Sequence, residues 1–192
     1  QASVQADEAL EAWAGVSRAS QEAPSNLLWR LAALLAQTGR LEAAQRHLAG
    51  IPSWHTRQFL KGYVALQSGD AEAAQAIWAD LAQRPPQVEG DVEGLVRAHL
   101  MRGEALQAAA LLAPFILQGQ RTWATEALMG MAQAQLGRMD EAETLLGTAR
   151  ARYRGVSPLR RLPVHEWRLW AQTIADEENR RRVASFFDEE PA

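Results

Sequence analysis

A glycine that recurs at nearly regular intervals is the feature that most constrains how this chain can fold. Gly39, Gly69, Gly103 and Gly137 lie in similar surroundings and are separated by 30, 34 and 34 residues. Each follows one apolar stretch with helical spacing and precedes another. Helices commonly end at a residue with positive φ, which glycine adopts without steric cost. The sequence therefore predicts repeated units of helix, glycine turn and helix.

Small and large residues also recur around these glycines. Three of the units have a small residue before the glycine, an alanine after it, and a larger residue four positions beyond that alanine. Small side chains at such positions let two helices approach closely. The positions are Ala32, Ala44 and Leu48 in residues 27–52, Gly62, Ala74, Trp78 and Pro86 in residues 58–86, and Gly130, Ala142, Leu146 and Ala149 in residues 126–149.

The pattern resembles the tetratricopeptide repeat family, whose units are 34-residue helical hairpins. The Gly-Asp turn at residues 69–70 is part of this resemblance. The third unit, residues 92–118, is a weaker copy, because it keeps Ala108 and Leu112 but has Val96 where a small residue is usual. Lys61 also departs from the family pattern, since leucine is usual at its position.

The resemblance implies an all-α fold, a right-handed solenoid of antiparallel helix hairpins. We expect one domain over residues 1–192, with four hairpins at about 26–52, 56–86, 91–118 and 123–154. Residues 5–21 read as the second helix of a hairpin whose first helix is missing. We expect this half-repeat to be covered by a second copy of the chain, by a preceding N-terminal sequence, or by Leu27 and Leu31 folding back on it, so a homo-oligomer is one of the possibilities. Residues 164–187 read as capping helices, the second of them capped by Asp176.

Composition excludes several classes of protein. The 192 residues contain no cysteine, which removes disulfide scaffolds and thiol catalysis and is compatible with cytoplasm or periplasm. The longest apolar run, residues 108–117, is far shorter than the roughly 20 residues of a membrane span. The first residues lack the features of a signal peptide. With 20 basic and 23 acidic residues, the net charge is only −3.

No catalytic or metal-binding pattern is present. His47, His55, His99 and His165 have neither mutual spacing nor neighbouring carboxylates suited to a metal. The acidic clusters at 176–178 and 188–190 are consecutive residues, which point around a helix and do not converge. Phosphate-binding and nucleophile motifs are missing. We therefore expect no cofactor, no metal and no enzymatic activity.

The expected function is that of a protein–protein interaction scaffold that holds a peptide or segment of a partner in a concave, aromatic-lined groove. The family register places one face of each first helix in that groove. Trp29, Phe59 and Tyr63 are open to a second interpretation, in which they belong to the core between repeats. The predicted groove residues are Trp29, Gln37, Phe59, Tyr63, Gln67, Arg97, Met101, Met131 and Gln135.

Two alternative functions remain. The chain could be a regulatory or targeting part of a larger enzyme or signalling protein, which the incomplete first hairpin suggests. It could also bind nucleic acid, although this is the less favoured interpretation. Residues 150–168 hold six arginines against Glu166, a local charge of +5, and such a patch attracts phosphates. Pairing of these arginines with the acidic C-terminus is the simpler explanation.

Overall fold

The computed structural model describes residues 25–87, 89–154 and 170–188, and these ranges are helical, without β-strands. The all-α prediction is confirmed for this part of the chain. None of the helices in these ranges is long and apolar enough to span a membrane. In chain order the helices are α1 (Ser25–Gln37), α2 (Leu41–Leu48), α3 (Trp54–Gln67), α4 (Ala71–Ala82), α5 (Glu89–Met101), α6 (Ala105–Leu117), α7 (Trp123–Gln135), α8 (Met139–Arg154) and α9 (Glu177–Asp188).

Three-residue turns join α1 to α2, α3 to α4, α5 to α6 and α7 to α8. The central residues are Gly39, Gly69, Gly103 and Gly137, each with a φ between +73° and +89°. In every turn the residue after the glycine donates its N–H to a carbonyl five residues earlier, at 2.8–2.9 Å. The predicted glycine turns are therefore confirmed. Gly119, after α6, has the same conformation, and the sequence analysis did not single it out.

Polar side chains fix where several helices begin. The Ser53 hydroxyl accepts the N–H of Thr56 at 3.1 Å before α3, and Asp70 accepts the N–H of Ala73 at 2.9 Å before α4. Before α9, Asp176 accepts the N–H of Asn179 at 2.8 Å, which confirms the predicted cap. Each bond satisfies one amide that has no partner inside its helix.

The same pattern of burial occurs in each of the four helix pairs. Ala44, Ala74, Ala108 and Ala142 are fully buried, as are the larger side chains of Trp78, Leu112 and Leu146, with Leu48 nearly so. In the second and fourth pairs a glycine on the first helix makes room for the larger residue. A Cβ added to Gly62 would lie 2.3 Å from Trp78 Nε1, and one added to Gly130 would lie 2.8 Å from Leu146 Cγ. The expected burial of Ala44, Ala74 and Ala142 is confirmed.

Contacts divide the described residues into two compact units. The N-terminal unit contains α1 to α4: α1 packs on α2 and α3, and α3 packs on α2 and α4. The C-terminal unit begins at Pro85 and contains α5 to α9: α7 packs on α5, α6 and α8, and α9 packs on α8 and α7. The predicted half-repeat at residues 5–21 and the first part of the predicted capping region lie outside the described residues.

Candidate functional site

Phe59 and Tyr63, two of the predicted groove residues, lie in the core of the N-terminal unit. Their exposed fractions are 1% and 3%. The Phe59 ring stacks on Trp78, with centroids 6.0 Å apart, and on Tyr63 at 6.5 Å. The Trp78 indole donates to the Phe59 carbonyl at 3.1 Å. Of the two interpretations given for these aromatic residues, the structure therefore favours the core for Phe59 and Tyr63.

The other predicted groove residues of this unit are more accessible. Trp29 is half-buried and Gln67 is exposed. Gln37 is half-buried, but both polar atoms of its amide are shielded from solvent and have no hydrogen-bond partner in the described part of the chain. A role for these three side chains in binding a partner therefore stays a prediction.

In the C-terminal unit the four predicted groove residues are held by internal contacts. Arg97 is 3% exposed, donates to Glu93 at 3.0 Å, and places its guanidinium 5.9 Å from the centre of the Trp170 ring. Gln135 is half-buried and donates to the Leu100 carbonyl at 2.9 Å and to the Thr173 hydroxyl. The remaining two, Met101 and Met131, are buried.

Burial thus separates the nine predicted residues into two classes. Trp29, Gln37, Gln67 and Gln135 retain exposed surface, whereas the other five offer a partner almost none. The spacing of residues along a helix could not make this distinction, because a shift of one residue exchanges the groove face for the core face. The buried set is Phe59, Tyr63, Arg97, Met101 and Met131.

An open groove of about 740 Å³ lies in the N-terminal unit, between α2, α3 and α4. Its lining follows one face of α2 and one face of α3, with a single residue from α4. The sequence analysis did not predict this groove, which we call the α2–α3 groove. It is lined by Leu41, Gln45, Leu48, Ala49, Arg57, Lys61, Val64, Ala65, Ser68 and Ile77.

Among the residues that the structure describes, the α2–α3 groove is lined by two cationic side chains and no acidic one. Arg57 is half-buried and is fixed by a 2.9 Å hydrogen bond from its guanidinium to the Ile51 carbonyl. Lys61, one helical turn further along α3, is exposed. The signal that could have identified this site is Lys61 itself, which is the only lysine of the sequence and occupies a position where the resemblance expects leucine.

A polar cluster closes the turn between α5 and α6. The Glu104 carboxylate contacts His99 Nδ1 at 2.7 Å and accepts from Arg102 Nε at 2.9 Å. The hydrogen bond from Arg102 is the main reason that the pKa of Glu104 lies below its ordinary value, and the bond with His99 acts in the same direction. All three residues lie within or beside one turn, so we interpret the cluster as structural.

A smaller cavity of about 280 Å³ lies in the C-terminal unit, between α5, α6 and the start of α7. It contains one carboxylate and one guanidinium, those of Glu93 and Arg121. Glu93 is already engaged with Arg97, and Arg121 donates to the Ile116 carbonyl at 3.3 Å. This cavity therefore presents less unpaired charge to a ligand than the α2–α3 groove does.

The basic segment at residues 150–168 lies mostly outside the described residues. Arg152 has its guanidinium 2.8 Å from the buried carboxylate of Glu126, and Arg150 is half-buried. Within the described ranges there is also no group of three or more metal-ligating side chains. The structure thus adds no specific support to the nucleic-acid alternative.

Comparison of the chain with protein-family models, with curated proteins and with solved structures found no match.

Proposed function

We propose that this chain is a non-catalytic scaffold of tetratricopeptide-like repeats, arranged as a right-handed solenoid of helix hairpins, that holds a segment of a partner protein. The observation that supports the proposal best is a pattern of burial that recurs four times. In each helix pair an alanine of the second helix and the larger residue four positions later are buried, and in two pairs that larger side chain packs on a glycine of the first helix. Units of this kind bury their apolar faces by stacking.

Stacked helix pairs leave grooves between neighbouring helices, and such grooves bind peptides by apolar anchors and a few charges. The α2–α3 groove is one of these, and its volume is in the range of ligand-binding clefts in general. Trp29, Gln37 and Gln67 in the N-terminal unit retain exposed surface for the predicted partner segment, and so does Gln135 in the C-terminal unit.

A peptide-display experiment tests the proposal. The purified chain is used to select from a library of random 16-residue peptides, and enriched peptides are synthesised and titrated by fluorescence anisotropy. We expect enrichment of related sequences that bind with dissociation constants in roughly the micromolar range, about −8 kcal/mol. An unrelated helical protein of similar charge serves as the control. Failure to enrich any peptide that prefers the chain over the control would contradict the proposed function.

A further inference from the structure

We propose that the α2–α3 groove binds an acidic amphipathic helix of a partner protein, with its carboxylates on Arg57 and Lys61 and its apolar side chains on Leu41, Val64 and Ile77. This inference rests on the proposed function, that the chain holds a partner segment. It adds the place of binding and the chemistry of the partner. The place differs from the groove expected from the repeat register.

The charges of the groove are the first argument. Arg57 and Lys61 lie four residues apart on one face of α3, where like charges repel. No carboxylate of the described residues forms an ion pair with either one. By contrast, six other arginines of the described residues form ion pairs with a carboxylate. The pairs are Arg84 with Asp80, Arg97 with Glu93, Arg102 with Glu104, Arg152 with Glu126, Arg181 with Glu177, and Arg182 with Glu143.

The position of Arg57 strengthens this argument. Arg57 is half-buried, and its guanidinium donates to the Ile51 carbonyl at 2.9 Å. Little side-chain freedom is therefore lost when the guanidinium binds a ligand. A guanidinium with remaining N–H groups binds a carboxylate by charge-assisted hydrogen bonds. Two carboxylates spaced four residues apart on a partner helix would match the spacing of Arg57 and Lys61.

The length and the walls of the groove are the second argument. The lining on α3 runs from Arg57 to Ser68, which at 1.5 Å per residue is about 16 Å, or three helical turns. Apart from the two cations, Gln45 and Ser68, the walls are aliphatic, with Leu41, Val64 and Ile77 among them. A helix with apolar residues at i, i+3 or i+4, and i+7 would therefore fill the groove.

The two cations of the groove lie nearer to one of its ends. Only five residues connect α2 to α3, so the end of α2 lies beside the start of α3, which carries Arg57. Leu41, at the start of α2, belongs to the opposite end of the groove, with Ser68. The partner helix is therefore oriented, with its acidic residues toward the α2–α3 connection and its apolar residues toward the α3–α4 turn.

The walls also favour protein over nucleic acid. No aromatic side chain in the described part of the chain lines the groove, and single-stranded nucleic acids bind by stacking bases on aromatic rings. An aliphatic surface beside two cations fits leucine-like and acidic side chains in the same ligand. A nucleic acid or a second copy of this chain as occupant would be an outcome of the test below.

The experiment uses the full chain and peptides selected from the random 16-residue library. Binding is measured to the wild type, to Lys61→Glu and to Arg46→Glu. Arg46 is exposed on α2, does not line the groove, and changes the net charge by the same amount. We expect peptides with two acids four residues apart beside apolar residues. Lys61→Glu should weaken their binding at least about 5-fold, and Arg46→Glu less than about 2-fold.

A charge exchange completes the test. Replacing by lysine only the peptide acid that pairs with Lys61 should restore binding to Lys61→Glu and weaken binding to the wild type. Circular dichroism and thermal unfolding show that the variants remain folded, as expected for a change at an exposed side chain.

The outcomes separate the inference from the proposed function. Selected peptides that bind Lys61→Glu as well as wild type overturn the inference and leave the scaffold function standing. A chain that selects no peptide overturns both. An oligothymidine probe that binds more tightly than any peptide and depends on Lys61, or a Lys61-dependent dimer in sedimentation, assigns the groove to a different occupant and also overturns the inference.

Discussion

At the scale of single residues, the absence of a side chain at Gly62 determines how closely α3 and α4 approach. The Trp78 ring occupies the space where a Cβ would lie, and its Nε1 atom would be 2.3 Å from that carbon. Trp78 is fully buried and its indole is held by the Phe59 carbonyl, so the ring cannot move aside without losing contacts. The packing of α3 against α4 therefore requires a residue without a side chain at position 62.

This contact predicts opposite effects for two identical substitutions. Gly62→Ala should destabilise the chain by about 1–3 kcal/mol, because it overpacks the core. Gly147→Ala, in α8, should be neutral or stabilise by up to about 1 kcal/mol, because the added Cβ meets only Phe186 at 3.9 Å and alanine favours helix. Urea unfolding of both variants measures the difference. Equal effects of the two substitutions would contradict the proposed packing.

At the scale of an element, the turn between α5 and α6 depends on the ionised form of Glu104. Its pKa is lowered, chiefly by Arg102, so the folded chain favours the carboxylate. This stability is present at pH values above the ordinary pKa of 4.5 and is lost as the pH falls through the lower pKa of the folded state.

Glu104→Gln should therefore be less stable than wild type by about 1 kcal/mol at pH 7. The difference should shrink as the pH falls below 4.5, because the wild-type carboxyl group becomes neutral as well. Urea unfolding at several pH values measures this difference. A difference that stays constant from pH 7 to pH 3 would indicate that charge at Glu104 does not contribute.

The start of α9 gives a second prediction at this scale. Asp176→Ala removes the acceptor for the Asn179 N–H and should cost about 1 kcal/mol, whereas Asp176→Ser should retain most of the stability. Hydrogen exchange of the first amides of α9 reports the change. If alanine and serine have the same effect, the capping bond is not what holds this end of the helix.

The sequence predicted the structure correctly at positions where the residue type alone determines the local conformation or burial. A glycine at the end of an apolar stretch predicts positive φ, and an alanine in a crowded position predicts burial, as found for Gly69 and Ala74. The patterns could not predict that Phe59 and Tyr63 pack against Trp78, because helical spacing does not fix which neighbouring helix a face meets. The α2–α3 groove was missed because three helices build it together.

At the scale of the whole molecule, the contacts are concentrated within two units. The N-terminal unit depends on the contact of Gly62 with Trp78, and the C-terminal unit on the contact of Gly130 with Leu146. Regions of a protein that share few contacts with each other can unfold separately. A substitution that overpacks one of these contacts should therefore act mainly within its own unit.

Native-state hydrogen exchange tests this expectation with two variants. Gly62→Ala should accelerate exchange mainly in α1 to α4, and Gly130→Ala mainly in α5 to α9, because each added Cβ overpacks a contact of one unit only. Gly147→Ala serves as the control, since its Cβ meets no crowded neighbour. Faster exchange in both units with either variant would show that the two units open as one cooperative body. Separate opening would mean that the α2–α3 groove depends on the stability of the N-terminal unit, and that Gly62→Ala weakens peptide binding there while Gly130→Ala leaves it unchanged.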